Sequence, residues 1–325
     1  MSIIATDRDI ATLSDPPSDT MVWIPGGTFK MGSDRHYPEE APAHNVRVAG
    51  FWMSRHTVTN AEFARFVDDT GYITVAERPA NPDDYPGALP ELLVPSSVVF
   101  KKTKGPVDLR KPYDWWTYVA GADWRHPQGP KTSVEDLADH PVVHIAYEDV
   151  EAYAAWARQS VPTEAEWEFA ARGGLDDAEF AWGNELMPDG RPMANTWQGD
   201  FPWQNLVDDG YEWTSPVGAF PPNGYGLFDM VGNVWEWTCD WYQDHGRVKY
   251  PCCTIDNPRG GERDLSCDPR TPDIKIPRKV MKGGSFLCAP NYCRRYRPAA
   301  RMPQMVETST CHLGFRCIVR PETKS

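Results

Sequence analysis

Two thiols near the C-terminal end carry the most specific chemistry in the chain. Cys288 and Cys293 are separated by four residues, behind a Gly283-Gly284-Ser285 turn and ahead of Arg294, Arg295, Arg297 and Arg301. The thiolate, not the thiol, attacks electrophiles and binds metals, and adjacent guanidinium charge stabilises it. A pair so placed is a candidate reactive site. Spacing alone leaves four readings open. A structural disulfide suits an oxidising compartment, but eight cysteines in 325 residues is a low density and the N-terminus has no secretory character. A structural zinc site calls for four ligands, usually from Cys-x2-Cys pairs, and the sequence contains no such pair. Two packed thiols acting as small hydrophobes are common. Two soft donors without a histidine or carboxylate cluster suit a soft, low-coordinate metal such as copper(I).

A second chemical signal lies upstream. Asn195, Asp208, Asp209, Asp229, Asn233 and Glu236 place oxygen donors in glycine-containing loops. Calcium takes six to eight oxygens, mixing carboxylates with the backbone carbonyls that irregular loops present. No EF-hand pattern accompanies them. His140 and His144 do not make a metal pair, because HPVVHIA reads as a buried strand in which residues four apart lie roughly 13 Å from each other.

The surrounding chain must hold these groups, and its composition indicates how. With 14 Trp, 31 Pro and 25 Gly it reads as a fold rich in turns and irregular backbone, held by aromatic packing rather than long regular elements. Short strands with a hairpin-like break at Pro25-Gly26-Gly27 are expected from Met21. Thr59-x-x-Glu62 is a capping box opening a helix that Gly71 ends; a second helix is expected from about Glu148 to Gln159, and Thr163-x-x-Glu166 opens a third, closed by Gly173-Gly174. Glu164, Glu166 and Glu168 are attributed to the dipole of that helix rather than to acid catalysis. The stretch from Glu77 to Asp139, with Trp115-Trp116 and Trp124, is long and irregular, as functional loops are. No linker or repeat divides the chain, so one domain over 21–321 is expected after a disordered tail of residues 1–20.

The net charge of -13 argues against nucleic acid or an anionic membrane as partner, since both need clustered positive charge. No apolar run approaches the roughly 20 residues that span a bilayer, and no signal peptide precedes the fold. A soluble, cytoplasmic, monomeric protein is expected.

Six stretches resemble the formylglycine-generating enzymes, or sulfatase-modifying factors: GGTFKMGS at Gly26, TVTNAEFARFV at Thr57, PTEAEWEFAARGG at Pro162, ANTWQGDFP at Ala194, PPNGYGLFDMVGNVWEWTCDW at Pro221, and the cysteine stretch from Lys282 to Cys317. The resemblance covers nearly all of Met21 to Arg320, and only the paired cysteines point to the catalytic branch of the wider superfamily. It implies an α+β, single-domain, C-type-lectin-like fold with little regular secondary structure. It also implies an oxidase that converts the cysteine of an unfolded sulfatase segment, Cys-x-Pro-x-Arg, to Cα-formylglycine with dioxygen and an external reductant. Cys288 and Cys293 would hold copper(I), with Ser285 and Trp235 lining the dioxygen pocket. Two structural calcium ions are implied, one on Asn195, Asp209 and the backbone of Thr196 and Tyr211, the other on Asp229, Glu236 and the backbone of Gly232 and Val234. Some relatives carry disulfides at positions corresponding to Ala154 with Cys317 and Ala171 with Pro298; only Cys317 is a cysteine here. Ala289 and His312 stand where relatives have histidine and asparagine near the groove. Cys252, Cys253 and Cys267 fall in a polar segment, 245–277, that reads as a surface insertion, and no function attaches to them. Alternatives from the same superfamily are a non-catalytic binding paralogue and an ergothioneine-type sulfoxide synthase with non-haem iron.

Overall fold

The computed structural model describes residues 16–247 and 254–321, so Cys252 and Cys253 lie outside the described residues. Twelve short strands run in chain order as Met21–Ile24 (β1), Gly27–Met31 (β2), His44–Val48 (β3), Phe51–Ser54 (β4), Ser96–Phe100 (β5), Trp116–Ala120 (β6), Trp235–Trp241 (β7), Ile255–Asp256 (β8), Arg278–Lys282 (β9), Arg301–Met305 (β10), Leu313–Gly314 (β11) and Ile318–Val319 (β12). Three α-helices, Asn60–Thr70 (α1), Tyr147–Trp156 (α2) and Glu164–Arg172 (α3), complete an α+β fold.

The capping signals place the helices well. Thr59 and Glu62 close the capping box of α1, and Gly71 ends it at φ 67°. Thr163 and Glu166 do the same for α3, which Gly173 ends at φ 57°. Helix α2 stops three residues short of the expected end, and Arg158 just beyond it sits at φ 56°.

Strand pairing is less local than the sequence suggests. The Pro25-Gly26-Gly27 break does not make a hairpin: β1 pairs with β4 and β2 with β3, so the chain changes sheets at the break. The sheets have the orders β1-β4-β12, β10-β9-β7-β11, β2-β3-β8 and β5-β6. The segment HPVVHIA is buried but is not a strand. Its backbone bonds go to Val58 and Thr310, and His144 turns through φ 62°. His144 is spent on Ser97 Oγ (2.6 Å) and the Pro127 carbonyl (2.8 Å), and His140 on Thr214 Oγ1 (3.0 Å). Both histidines are structural. Just before β1, Met21 N–H donates to Ser18 O and Arg55 N–H to Thr20 O. The insertion at 245–277 is tied in by β8, which pairs parallel to β3.

The three glutamates of α3 are more than dipole partners. All are buried and paired: Glu164 with Arg301, Glu166 with Arg320, and Glu168 with Arg172 and Lys282. Buried charge survives only when paired, so these ion pairs knit α3 to β9, β10 and the C-terminal strand. No helix among the described residues is long and apolar enough to cross a membrane.

Candidate active site

The cysteine loop is built by one backbone contact. Gly283 and Gly284 turn through φ 92° and 71°, and a Cβ on Gly284 would lie 2.8 Å from the Arg295 carbonyl oxygen. The start and end of the loop are therefore backbone to backbone. Between them Cys288 N–H donates to Ser285 O, and Cys293 N–H to Ala289 O, a helical turn that swings the second thiol back over the first. The sulfurs come to 3.1 Å. Replacing Gly284 by Ala combines a left-handed φ with a backbone clash, which costs about 2–4 kcal/mol. Gly284→Ala is expected to lower the denaturation midpoint and to separate the sulfurs, checked by chemical unfolding and by whether the two thiols still crosslink on mild oxidation.

Both thiols are buried. The neighbouring thiol, followed by the Arg295 guanidinium, holds Cys293 below its ordinary range against the opposing effect of burial. Burial, reinforced by the same neighbour, pushes Cys288 well up. Cys288 Sγ accepts the Ser285 N–H at 3.4 Å, and Arg295 Nη1 lies 3.9 Å from Cys293 Sγ. The remaining arginines of the run do not reach the sulfurs. Arg294 pairs with Glu179, Arg297 with Glu40 and Arg301 with Glu164, so one cation of the four serves the thiols.

The pair opens on a cavity of about 340 Å3 whose wall includes Ser285, Trp235, Trp116, Tyr292, Arg295 and His312. Ser285 and Trp235, assigned to the site by resemblance, thus share the cavity with both cysteines. Ser285 Oγ accepts the Leu287 N–H at 3.3 Å. Trp235 is fixed by its N–H to the His312 carbonyl (2.8 Å), which brings β7 and β11 together. Burial drives His312 down to about 3, so its imidazole is neutral, with Nδ1 2.6 Å from Thr310 Oγ1. Trp116 lies against it at 4.9 Å between ring centroids. Trp116 belongs to the long irregular stretch read as a functional loop; nothing in the sequence singles out Tyr292 and Met302 as cavity walls, because a half-buried large apolar side chain reads the same whether it faces core or cavity. A second cavity of about 380 Å3, bearing Asp84, Glu148, Glu307 and Arg78, shares Val98, Tyr118 and Thr308 with the first. Ala289 is buried behind the loop and outside the cavity wall.

No group of three or more His, Cys, Asp or Glu side chains that could hold a metal is found among the described residues. Two thiols without a third such ligand are a donor set that would suit a soft, low-coordinate ion such as copper(I).

The first oxygen set fits a cation. Asn195 Oδ1 is buried without a partner, its amide nitrogen being spent on the Trp213 carbonyl. Asp209 accepts from the Thr196 and Tyr211 N–H groups and from Gln198 Nε2 at 2.7 Å, and burial raises its carboxyl with no cationic side chain among the causes. In the second set Glu236 is engaged by Arg316 and by Trp167 Nε1, so a cation there would share it with a guanidinium. Asp229 has the Gly218 N–H as its hydrogen-bond partner and is raised by burial to about 6. In metal-free protein, ionising Asp229 therefore costs stability as pH rises from about 4 to about 6, and a divalent cation would offset that cost above 6. A strong chelator is expected to remove about 2–3 kcal/mol of stability at pH 7.5 where calcium stood at about a hundred times its Kd, and so to lower the thermal midpoint, with a smaller effect at pH 5. Differential scanning calorimetry with and without added calcium checks both.

The family model described as sulfatase-modifying factor enzyme 1-like domain matches residues 6–321. The chain is 52% identical to the formylglycine-generating enzyme of Mycobacterium tuberculosis over 304 residues, 93% of this chain and 98% of that protein. It is 36% identical to the mouse protein named inactive C-alpha-formylglycine-generating enzyme 2, over 91% of this chain and 84% of that one. Among solved structures, PvdO from Pseudomonas aeruginosa aligns with a TM-score of 0.62 at 25% identity, over 94% of this chain and 97% of that one. A match along nearly the whole length and an identity above half over almost all of a curated relative place the chain in the sulfatase-modifying factor family.

Proposed function

We propose that the protein is a copper-dependent formylglycine-generating oxidase. The reading rests on one observation above others, the two buried sulfurs 3.1 Å apart on the wall of an open cavity. The reaction would take the cysteine of a Cys-x-Pro-x-Arg segment of a sulfatase to the aldehyde. Its balance is R–CH2–SH + O2 + 2 e− + 2 H+ → R–CHO + H2S + H2O, so an external reductant supplies two electrons. Copper(I) held by Cys288 and Cys293 would supply an open position for a third thiolate and a centre for dioxygen reduction.

The chain's own residues would do the rest. Cys288 and Cys293 grip the metal, and Arg295 offsets the charge of the sulfurs. Ser285 and Trp235 form the inner wall, where a hydroxyl beside developing negative charge on oxygen is favourable. Trp116 and His312, packed on each other in the cavity wall, would help exclude water from the reacting carbon. An extended peptide entering this cavity can run on into the second one past Tyr118 and Thr308. A cytoplasmic monomer acting on unfolded chains fits this arrangement.

Incubation with copper(I), air, a thiol reductant and a Cys-x-Pro-x-Arg peptide tests the reading, with mass spectrometry following loss of the thiol and appearance of the aldehyde. A protein that binds no copper(I) and leaves the peptide unchanged would instead match the non-catalytic reading that the resemblance to the mouse inactive protein favours.

A further inference from the structure

The short turn Tyr37–Glu40, some 250 residues before the cysteines, is packed against the back of their loop. Its contacts fall on the basic run. Tyr37 Oη accepts the Arg294 N–H at 3.0 Å, and the Tyr37 ring lies 3.8 Å beneath the Arg295 guanidinium. Glu39 Oε1 accepts from Arg295 Nη2 at 2.5 Å and from Nε at 3.1 Å. Glu40 pairs with Arg297, and the Glu39 carbonyl accepts from Arg301. Of these arginines only Arg295 lines the cavity, and it is the only charged side chain in the cavity wall. Its Nε and Nη2 are occupied by Glu39, which leaves Nη1 aimed at Cys293 Sγ.

From this geometry we infer that Glu39, with Tyr37 as the platform, is a positioning residue for the metal site. It holds the Arg295 fork on Cys293 Sγ and out of the space a peptide would occupy. Glu40, one residue on, has a different task. It is fully buried and braces Arg297, so its loss is felt by the fold, whereas Glu39 is partly exposed and its loss is felt by the sulfurs. A long flexible arginine without its anchor has a wide choice of rotamers, and a guanidinium stacked on a half-buried ring alone is weakly held. The inference rests on the copper reading for one of its two tests and is independent of it for the other.

The first test measures copper(I) affinity by competition with a chromogenic chelator for the parent protein, Glu39→Ala, Glu39→Asp and Glu40→Gln. Outer-shell partners of metal ligands shift affinity about 10- to 100-fold, so Glu39→Ala is expected to weaken copper(I) binding at least about tenfold with its thermal midpoint unchanged. Glu39→Asp recovers part of the loss, and Glu40→Gln lowers the midpoint instead. Affinity in Glu39→Ala equal to that of the parent overturns the inference. The second test is a crystal structure of metal-free Glu39→Ala, in which Arg295 is expected to leave Cys293; Arg295 still in place overturns the inference whatever the copper result. A parent protein that takes up no copper(I) counts against the proposed function and leaves this second test to decide the role of Glu39.

Discussion

Cys293→Ser is expected to abolish aldehyde formation while the protein stays folded. Serine matches cysteine in shape, and the loop is held by Gly284 against Arg295 and by backbone bonds rather than by the sulfurs, so the cost to stability is small. The cost to chemistry is not. A hydroxyl at neutral pH is neither a soft donor nor ionised, and a metal centre contributes several kcal/mol to the transition state, so losing it means about a thousandfold or more in rate. Cys288→Ser should behave alike, since one thiol cannot hold a low-coordinate ion. Steady-state turnover of a Cys-x-Pro-x-Arg peptide, with circular dichroism to verify folding, checks this; either variant turning over at a tenth of the parent rate would remove the metal-thiolate reading. Cys311→Ser and Cys317→Ser serve as controls. Both thiols are buried and outside the cavity wall, and burial raises their pKa values, to about 12 in Cys311.

The largest effect on stability is expected at Arg316. It is fully buried, gives Nε and Nη2 to the two oxygens of Glu236 at 2.7 Å each, and reaches the Phe228 carbonyl at 2.9 Å. Methionine fills much the same volume but strands a buried carboxylate beside Asp229, itself already raised by burial. Breaking such a pair from one side costs about 3–5 kcal/mol. Arg316→Met is therefore expected to unfold at a midpoint lower by about 5–10 °C. The double variant Arg316→Met with Glu236→Gln removes the stranded charge and should recover a good part of the loss, which a double-mutant cycle by urea denaturation reads directly. Additive losses would mean that the two residues act separately.

How far the sequence alone reveals this molecule depends on how local each feature is. The helices are legible because their signals are contained within a turn: Thr59 with Glu62, Thr163 with Glu166, and a glycine that takes the left-handed conformation at each end. The thiol pair is legible for the same reason, its two members lying five positions apart behind a glycine bend. Features that pair distant residues are not. Nothing at Pro25-Gly26-Gly27 announces that the flanking strands choose β4 and β3 over each other, and the buried HPVVHIA segment has the apolar pattern of a strand while its hydrogen bonds go to single residues on either side. Glu164, Glu166 and Glu168 sit where a helix dipole explains them, yet their partners lie as much as 154 residues away. The arginine run reads as one electrostatic unit and resolves into four separate pairings, only one of which touches sulfur. The two oxygen sets divide in the same way: Asn195 Oδ1 is buried without a partner, whereas Glu236 is shared with an arginine eighty positions later that no local pattern marks.

The division of labour between the cysteine loop and the cavity wall has an evolutionary consequence. Both sulfurs come from a single short loop, while the surfaces a guest would touch come from Trp116, Tyr118, Met302 and Thr308, on separate segments that contribute nothing to the sulfur geometry. If the proposed reading holds, sequence preference can drift, or be reprogrammed by directed variation at those positions, while the paired sulfurs are inherited unchanged.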